Sequence, residues 1–305
     1  MDGFINVNKS SGMTSFDVIK KLKRIIPKTK LGHLGTLDPM AEGVLPVAVG
    51  FATRLIEYVS ETDKIYLVAM TLGGVSDTQD AWGNIVCQPD TVFAEDDLVA
   101  ILKRYTGKIS QIPPMYSAVH YHGERLYNLA RQGIIVDREA RNIEIEYINL
   151  LSLDRDNEGR PLIKMEVRCS KGTYIRTLCH DVGQELGTGA YMSALTRIRA
   201  GVFSIEDAYT LDEIERCKDN LTGLIKAADY PLIDLGKLTI EDQALDKILN
   251  GNRIMIEGKT LPRLVRVHEP QGKMVAIAQC LNEDNGTLLQ PVKVFRENYT
   301  RASLL

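Results

Sequence analysis

Asp38 is the residue in this chain best placed to do chemistry, because of what surrounds it. It closes the stretch Leu31-Gly32-His33-Leu34-Gly35-Thr36-Leu37-Asp38-Pro39. Gly32 and Gly35 free the backbone for tight turns or for close approach of a ligand. Pro39 fixes the chain after Asp38 and biases Asp38 towards an extended conformation. A carboxylate and the imidazole of His33 are thereby held on one short, stiff loop, the kind of segment on which catalytic groups are displayed. The local pattern also fits an Asp-Pro turn with a surface histidine, and the rest of the chain decides between the two.

Other groupings point to weaker chemistry. His120 and His122 stand two apart, with no carboxylate or thiol at ligand spacing, and read as loop histidines rather than a metal pair. His180-Asp181 reads as a surface pair on a helix, and Cys179 beside it faces elsewhere, as adjacent helical positions do. The five cysteines are Cys87, Cys169, Cys179, Cys217 and Cys280, an odd, scattered set without Cys-x-x-Cys. That pattern argues for reduced thiols in a cytoplasm and against zinc.

The elements that must hold Asp38 follow from periodicity. Phe4 to Val7 reads as a strand. Thr14 caps a helix with Asp17 three residues on, and Val18, Leu22, Ile25 and Ile26 form its apolar stripe. Pro27 stops it. Val44 to Val49 reads as a buried strand interrupted by Pro46, Ala52 to Val59 as helix, and Lys64 to Leu72 as the clearest strand of the first half. The polar stretch Ser76 to Asn84 reads as a loop. Glu95 opens a helix whose acidic start suits the helix dipole. Gln111 to Val119 breaks the pattern and begins an insert at about 112–142, with a short helix from Glu124 to Gln132. Its Arg125, Arg131, Arg138 and Arg141 stand among Tyr116, Tyr121 and Tyr127, which suits either an RNA-gripping element or a plain surface excursion. Asn142 to Leu153 and Leu162 to Ser170 alternate as paired antiparallel strands. Tyr174 and Arg176 fall at a helix N-terminus, a common place for anion contacts. Ala194 to Arg199 is a further strand, and Thr210 to Glu213 a capping box. Beyond Tyr230 to Gly236, a helix from Thr239 to Leu249 and short strands suggest a small β module.

Composition sets the frame. The chain has 305 residues, 44% hydrophobic and 25% charged, enough for two domains and a sizeable core. No apolar run approaches the roughly 18 residues that span a bilayer, and Met1-Asp2-Gly3-Phe4 does not open a signal peptide. The net charge of −3 is unevenly spread. Residues 201–247 hold 11 acidic and 5 basic side chains, a net of −6, so the remainder carries −3 − (−6) = +3. Lys20, Lys21, Lys23, Arg24, Lys28 and Lys30 run up to the central loop, where a basic face can track phosphates.

Four motifs stand in one order: Gly32-His33-Leu34-Gly35-Thr36-Leu37-Asp38-Pro39, Lys64-Ile65-Tyr66, Pro114-Met115-Tyr116-Ser117-Ala118 and Lys171-Gly172-Thr173-Tyr174-Ile175-Arg176. Together they closely resemble the TruB family of bacterial tRNA pseudouridine-55 synthases, over essentially the whole chain. One departure is Lys9-Ser10, where members carry Lys-Pro. The resemblance implies an α+β pseudouridine synthase fold, a central, largely antiparallel sheet flanked by helices. It implies a catalytic domain at 1–235 and a PUA-like RNA-binding module at 236–305. It implies isomerisation of the T-loop uridine of tRNA, without cofactor or metal, by a monomer that needs no protein partner and no membrane. Asp38 is the matching carboxylate, acting as nucleophile at C1′ or as base at C2′. Arg176 matches the active-site arginine; a guanidinium beside a carboxylate favours its charged form and aims it. Tyr66 matches the residue that stacks on the target base, with Tyr174 and Leu195 as further walls. His33 supports the flipped state by filling space or holding a phosphate, and Lys9, Lys64, Arg125 and Arg131 are expected on the RNA backbone. A non-catalytic tRNA-folding factor and a guide-RNA-dependent synthase stand as rival readings; the folding role can coexist with catalysis.

Overall fold

The computed structural model describes residues 1–59, 63–88 and 92–296. Its frame is a ten-stranded sheet. Across it run Ile225–Lys226, Gly3–Lys9, Glu42–Val49, Ala190–Ala200, Lys64–Leu72, Pro161–Cys169, Arg141–Arg155 and Gly107–Gln111, with Leu31–His33 and Phe203–Ser204 attached beside this path. Neighbours pair antiparallel except Glu42–Val49 against Ala190–Ala200, whose short parallel ladder joins Thr196 to Glu42 and Arg197 to Gly43. A side chain at Gly43 would place Cβ 2.3 Å from the Arg197 carbonyl oxygen, so only glycine permits this junction.

Alternation builds the core. Tyr66, Val68 and Met70 face one side of their strand, opposite Val167, Met165 and Ile163 on one neighbour and Arg197, Leu195 and Met192 on the other. The helices Ser15–Ile25, Glu95–Arg104 and Ile175–Glu185 lay their apolar stripes on that face. Thr14 and Asp17 close a reciprocal capping box. The strand around Pro46 is not interrupted: the proline carbonyl accepts from the Leu34 amide. Residues Gly50–Tyr58 form a 3₁₀ helix. In the insert the helix is shorter than its periodicity suggests, Leu126–Arg131, because Glu124–Arg125 pairs with His120–Tyr121. Similarly, Gly236–Thr239 is a strand, so the next helix begins only at Asp242.

A five-stranded sheet is built from Gly236–Thr239, Ile254–Glu257, Leu264–His268, Met274–Glu283 and Gly286–Val294. Residues 297–305 of the expected module lie outside the described residues. This sheet shares an apolar cluster with the body, in which Phe4, Val44, Phe51 and Leu55 meet Leu232, Met274, Ile277 and Phe295. The Phe51 and Phe295 rings lie 4.9 Å apart.

Candidate active site

The central stretch is less a loop than a pinned arch. Leu31–His33 adds to the edge of Glu42–Val49, and the chain then turns at Gly35, whose φ of +74° favours glycine. Leu37 is buried and clamped by one hydroxyl: its amide donates to Ser15 Oγ at 2.9 Å, and that hydroxyl donates back to its carbonyl at 3.1 Å. On the far side the Pro39 carbonyl accepts from the Gly12 amide and from Lys9 Nζ, and the Met40 carbonyl accepts from Ser11 Oγ. Both flanks of Asp38 are therefore fixed, while its side chain keeps 36% of its exposure.

Arg176 meets it from the helix Ile175–Glu185. Its side chain is 5% exposed and its Nε lies 2.8 Å from Asp38 Oδ2. The Nε–H does not point along that line, so the contact is a close ion pair rather than an aligned hydrogen bond. Nη1 donates to the Thr78 carbonyl at 3.2 Å and faces Asp80 Oδ2 at 3.7 Å; Nη2 donates to the Tyr116 carbonyl at 2.9 Å. Asp80 is itself buried and held by the Thr78 hydroxyl and the Trp82 amide. Gln111 fixes the start of the helix by bonding both the amide and the carbonyl of Tyr174. The guanidinium is thus aimed by three separate segments, and Asp38 is its most open partner.

Tyr66 is buried beside this pair, and burial pushes its phenol up to about 12. Leu195 lies across the strand from Val68 in the same apolar cluster. Behind them is Arg197, fully buried, which donates to the carbonyls of Val44, Thr36 and Gly35. The imidazole of His33 is held below its usual range by burial and then by Arg197, and its Nδ1 is buried without a hydrogen-bond partner. Lys64 is lowered for the same two reasons, and with Lys171 it borders a cavity of about 300 Å³ beside Gly35.

Lys9 departs from its expected place on the RNA backbone. Its side chain is 0% exposed, and its Nζ donates to the carbonyls of Ser10, Met13 and Pro39. An ammonium with all its donors turned inward cannot reach a phosphate; Lys9 braces the arch instead. Arg125 and Arg131 are both exposed and lie over the Tyr127 ring at 5.9 and 5.4 Å. His180 and Asp181 are half-buried rather than on an open helix face, and burial pushes the Asp181 carboxyl up to about 6. Among the described residues no group of three His, Cys, Asp or Glu side chains could hold a metal ion.

Sequence reasoning missed Asp80 and Arg197. Asp80 was hidden in a polar stretch that reads as an ordinary loop. Arg197 carried a usable signal: it stands two residues after Leu195, on the apolar phase of an alternating strand, where a charge needs a reason.

The chain resembles known proteins along its length. It matches the TruB family pseudouridylate synthase N-terminal domain over residues 23–175 and the tRNA pseudouridylate synthase B C-terminal domain over 176–233. The tRNA pseudouridine synthase B of Syntrophomonas wolfei is 51% identical over 299 residues, 98% of this chain and 100% of that protein. That of Heliobacterium modesticaldum is 42% identical, over 99% of this chain and 98% of its own. In the crystal structure of a Cbf5-Nop10-Gar1 complex, one chain superposes with a TM-score of 0.74 at 29% identity, covering 98% of this chain and 87% of that one. The fold and the matched family models thus define a pseudouridylate synthase. The chain belongs to the TruB family.

Proposed function

We propose that this protein isomerises the uridine at position 55 of the tRNA T-loop to pseudouridine. The observation that carries the reading is one open carboxylate, Asp38, clamped through both flanks and paired with a buried arginine, while the second carboxylate on that arginine, Asp80, is buried. The reaction breaks the N1–C1′ bond, turns the uracil over and joins C5 to C1′; the C5 proton leaves to solvent. One anion suffices, because the base is both leaving group and returning nucleophile. A glycosidase would need a second carboxylate to protonate a leaving oxygen. Asp38 acts on the ribose, at C1′ as nucleophile or at C2′ as base, and Arg176 keeps it aimed in either path.

The target uridine must leave its stack, at a cost of roughly a few kcal/mol that pocket contacts offset. Tyr66 stacks on the base, Leu195 and Tyr174 close the pocket, and His33 supports the flipped state by filling the vacated space or holding a phosphate. Lys64, Arg125 and Arg131 hold the backbone. The module from 236 onward serves as a PUA-like grip on the rest of the tRNA, and the same grip allows a role in tRNA folding. The protein acts as a cytoplasmic monomer without partner proteins; the high identity to bacterial synthases along the whole chain favours this over a guide-RNA assembly. No helix among the described residues is long and apolar enough to cross a membrane. The test uses purified protein alone and two tRNA transcripts, one with uridine and one with cytidine at position 55. Pseudouridine forms at that position in the first and nowhere in the second. Formation at another uridine would move the substrate assignment.

A further inference from the structure

Arg197 is the largest fully buried side chain among the described residues. No carboxylate among the described residues comes within 4.0 Å of it. Its neighbours include Lys9, Lys64 and His33, each held below its usual range in part by this guanidinium. A buried charge in such company is costly, and a well-packed apolar side chain would do better for stability alone. What the guanidinium supplies is directional. Nε donates to the Val44 carbonyl at 2.7 Å on the neighbouring strand. Nη2 donates to Gly35 at 3.0 Å and Nη1 to Thr36 at 3.4 Å, the two carbonyls at the turn that leads into Asp38. Arg197 also stands directly opposite Tyr66 across the paired strands.

We propose that Arg197 is a positioning residue for the reaction: its planar fork fixes the Gly35–Thr36 turn against the sheet, setting Asp38 and Tyr66 in one rigid frame. The inference rests on the isomerase reading above. It explains why a charge stands where packing asks for none, and why the arch is tethered from below as well as at Leu37 and Pro39. A shift of the arch by about 1 Å is the kind of error that costs roughly 100-fold in rate.

The test is single-turnover release of tritium from C5 of the target uridine, measured beside RNA affinity, for wild type, Arg197→Lys and Thr196→Ala. Lysine keeps the charge but loses the fork. Thr196 bonds Glu42 at 3.0 Å across the same parallel ladder and has no bond to the arch, so its variant controls for loosened strand pairing. We expect Arg197→Lys to slow the chemical step roughly 100-fold with RNA affinity changed less than about threefold. Thr196→Ala should keep the wild-type rate. Amide hydrogen exchange should quicken at residues 34–38 in Arg197→Lys and stay unchanged in the Ser15–Ile25 helix. If the lysine protein does not fold, Arg197→Gln, which keeps one donor nitrogen and no charge, is read by the same outcomes. An unslowed Arg197 variant, a loss confined to RNA affinity, or an equal loss in Thr196→Ala would overturn the proposal. Absence of release by wild type would instead overturn the isomerase reading, and the exchange comparison would still report on the tether.

Discussion

Lys9 and Arg197 show how differently one positive charge can be used at the scale of a residue. By type and position near the N-terminal strand, Lys9 suits an RNA phosphate. Burial decides otherwise, since its ammonium is spent on three carbonyls around the arch. Replacing Lys9 with methionine takes one donor from each of those carbonyls, of which Pro39 keeps the Gly12 amide, and should lower stability by about 1–3 kcal/mol. The slope of RNA affinity against salt should not change, because no phosphate contact is lost. Denaturant melts and a salt titration check the two halves together; a shallower slope would return Lys9 to the RNA. Asp38, Tyr66 and Arg176 could be singled out in the sequence because ordered motifs carry them, and Leu195 through the family resemblance alone. Asp80 and Arg197 could not, since an acid in a polar turn and an arginine in an alternating strand look ordinary until the fold brings them to the site.

At the scale of elements, strands and helices followed their periodicity well, and the misreadings share a cause. The arch begins as a strand, the insert helix starts late, and the Gly236–Thr239 strand displaces the start of a helix. In each case a short segment found a partner strand, and pairing between distant segments leaves no local mark. The insert is the element whose use is open to direct measurement. Arg125 and Arg131 lie over the Tyr127 ring, which keeps their guanidinium planes presented together. If each neutralises a phosphate, alanine at either position should reduce the salt slope by about 1, with the single-turnover rate at saturating RNA retained. Filter binding over a salt series measures it. An unchanged slope would make this segment a surface excursion.

At the scale of the whole molecule, the module beyond Gly236 is joined to the body by more than a linker. Besides the shared apolar cluster, Asp229 accepts from buried His268 at 3.0 Å and pairs with Arg266 at 3.3 Å. The His268 hydrogen bond is the main reason the Asp229 carboxyl is held below its usual 3.8. A lowered carboxyl stabilises the fold above that value, and the contribution is lost as pH falls below 3.8. Asp229→Asn should therefore cost about 1–3 kcal/mol at pH 7, and its melts should converge with wild type in acid. Equal stability at neutral pH would show that the apolar cluster alone holds the module. This joint was only partly legible: the boundary at Tyr230 to Gly236 was visible, but not that Phe4 and Phe51 from the start of the chain would meet Phe295 near its end.

The central claim is that Asp38 is the one group the chemistry cannot lose. The direct measurement is tritium release from C5 of a T-arm transcript by wild type and by Asp38→Asn, with RNA binding followed in parallel. The account predicts release by wild type, a loss of at least ~10⁴-fold in the variant, and similar affinity in both. Release by Asp38→Asn near the wild-type rate would contradict it, and so would tight binding with no release by either protein.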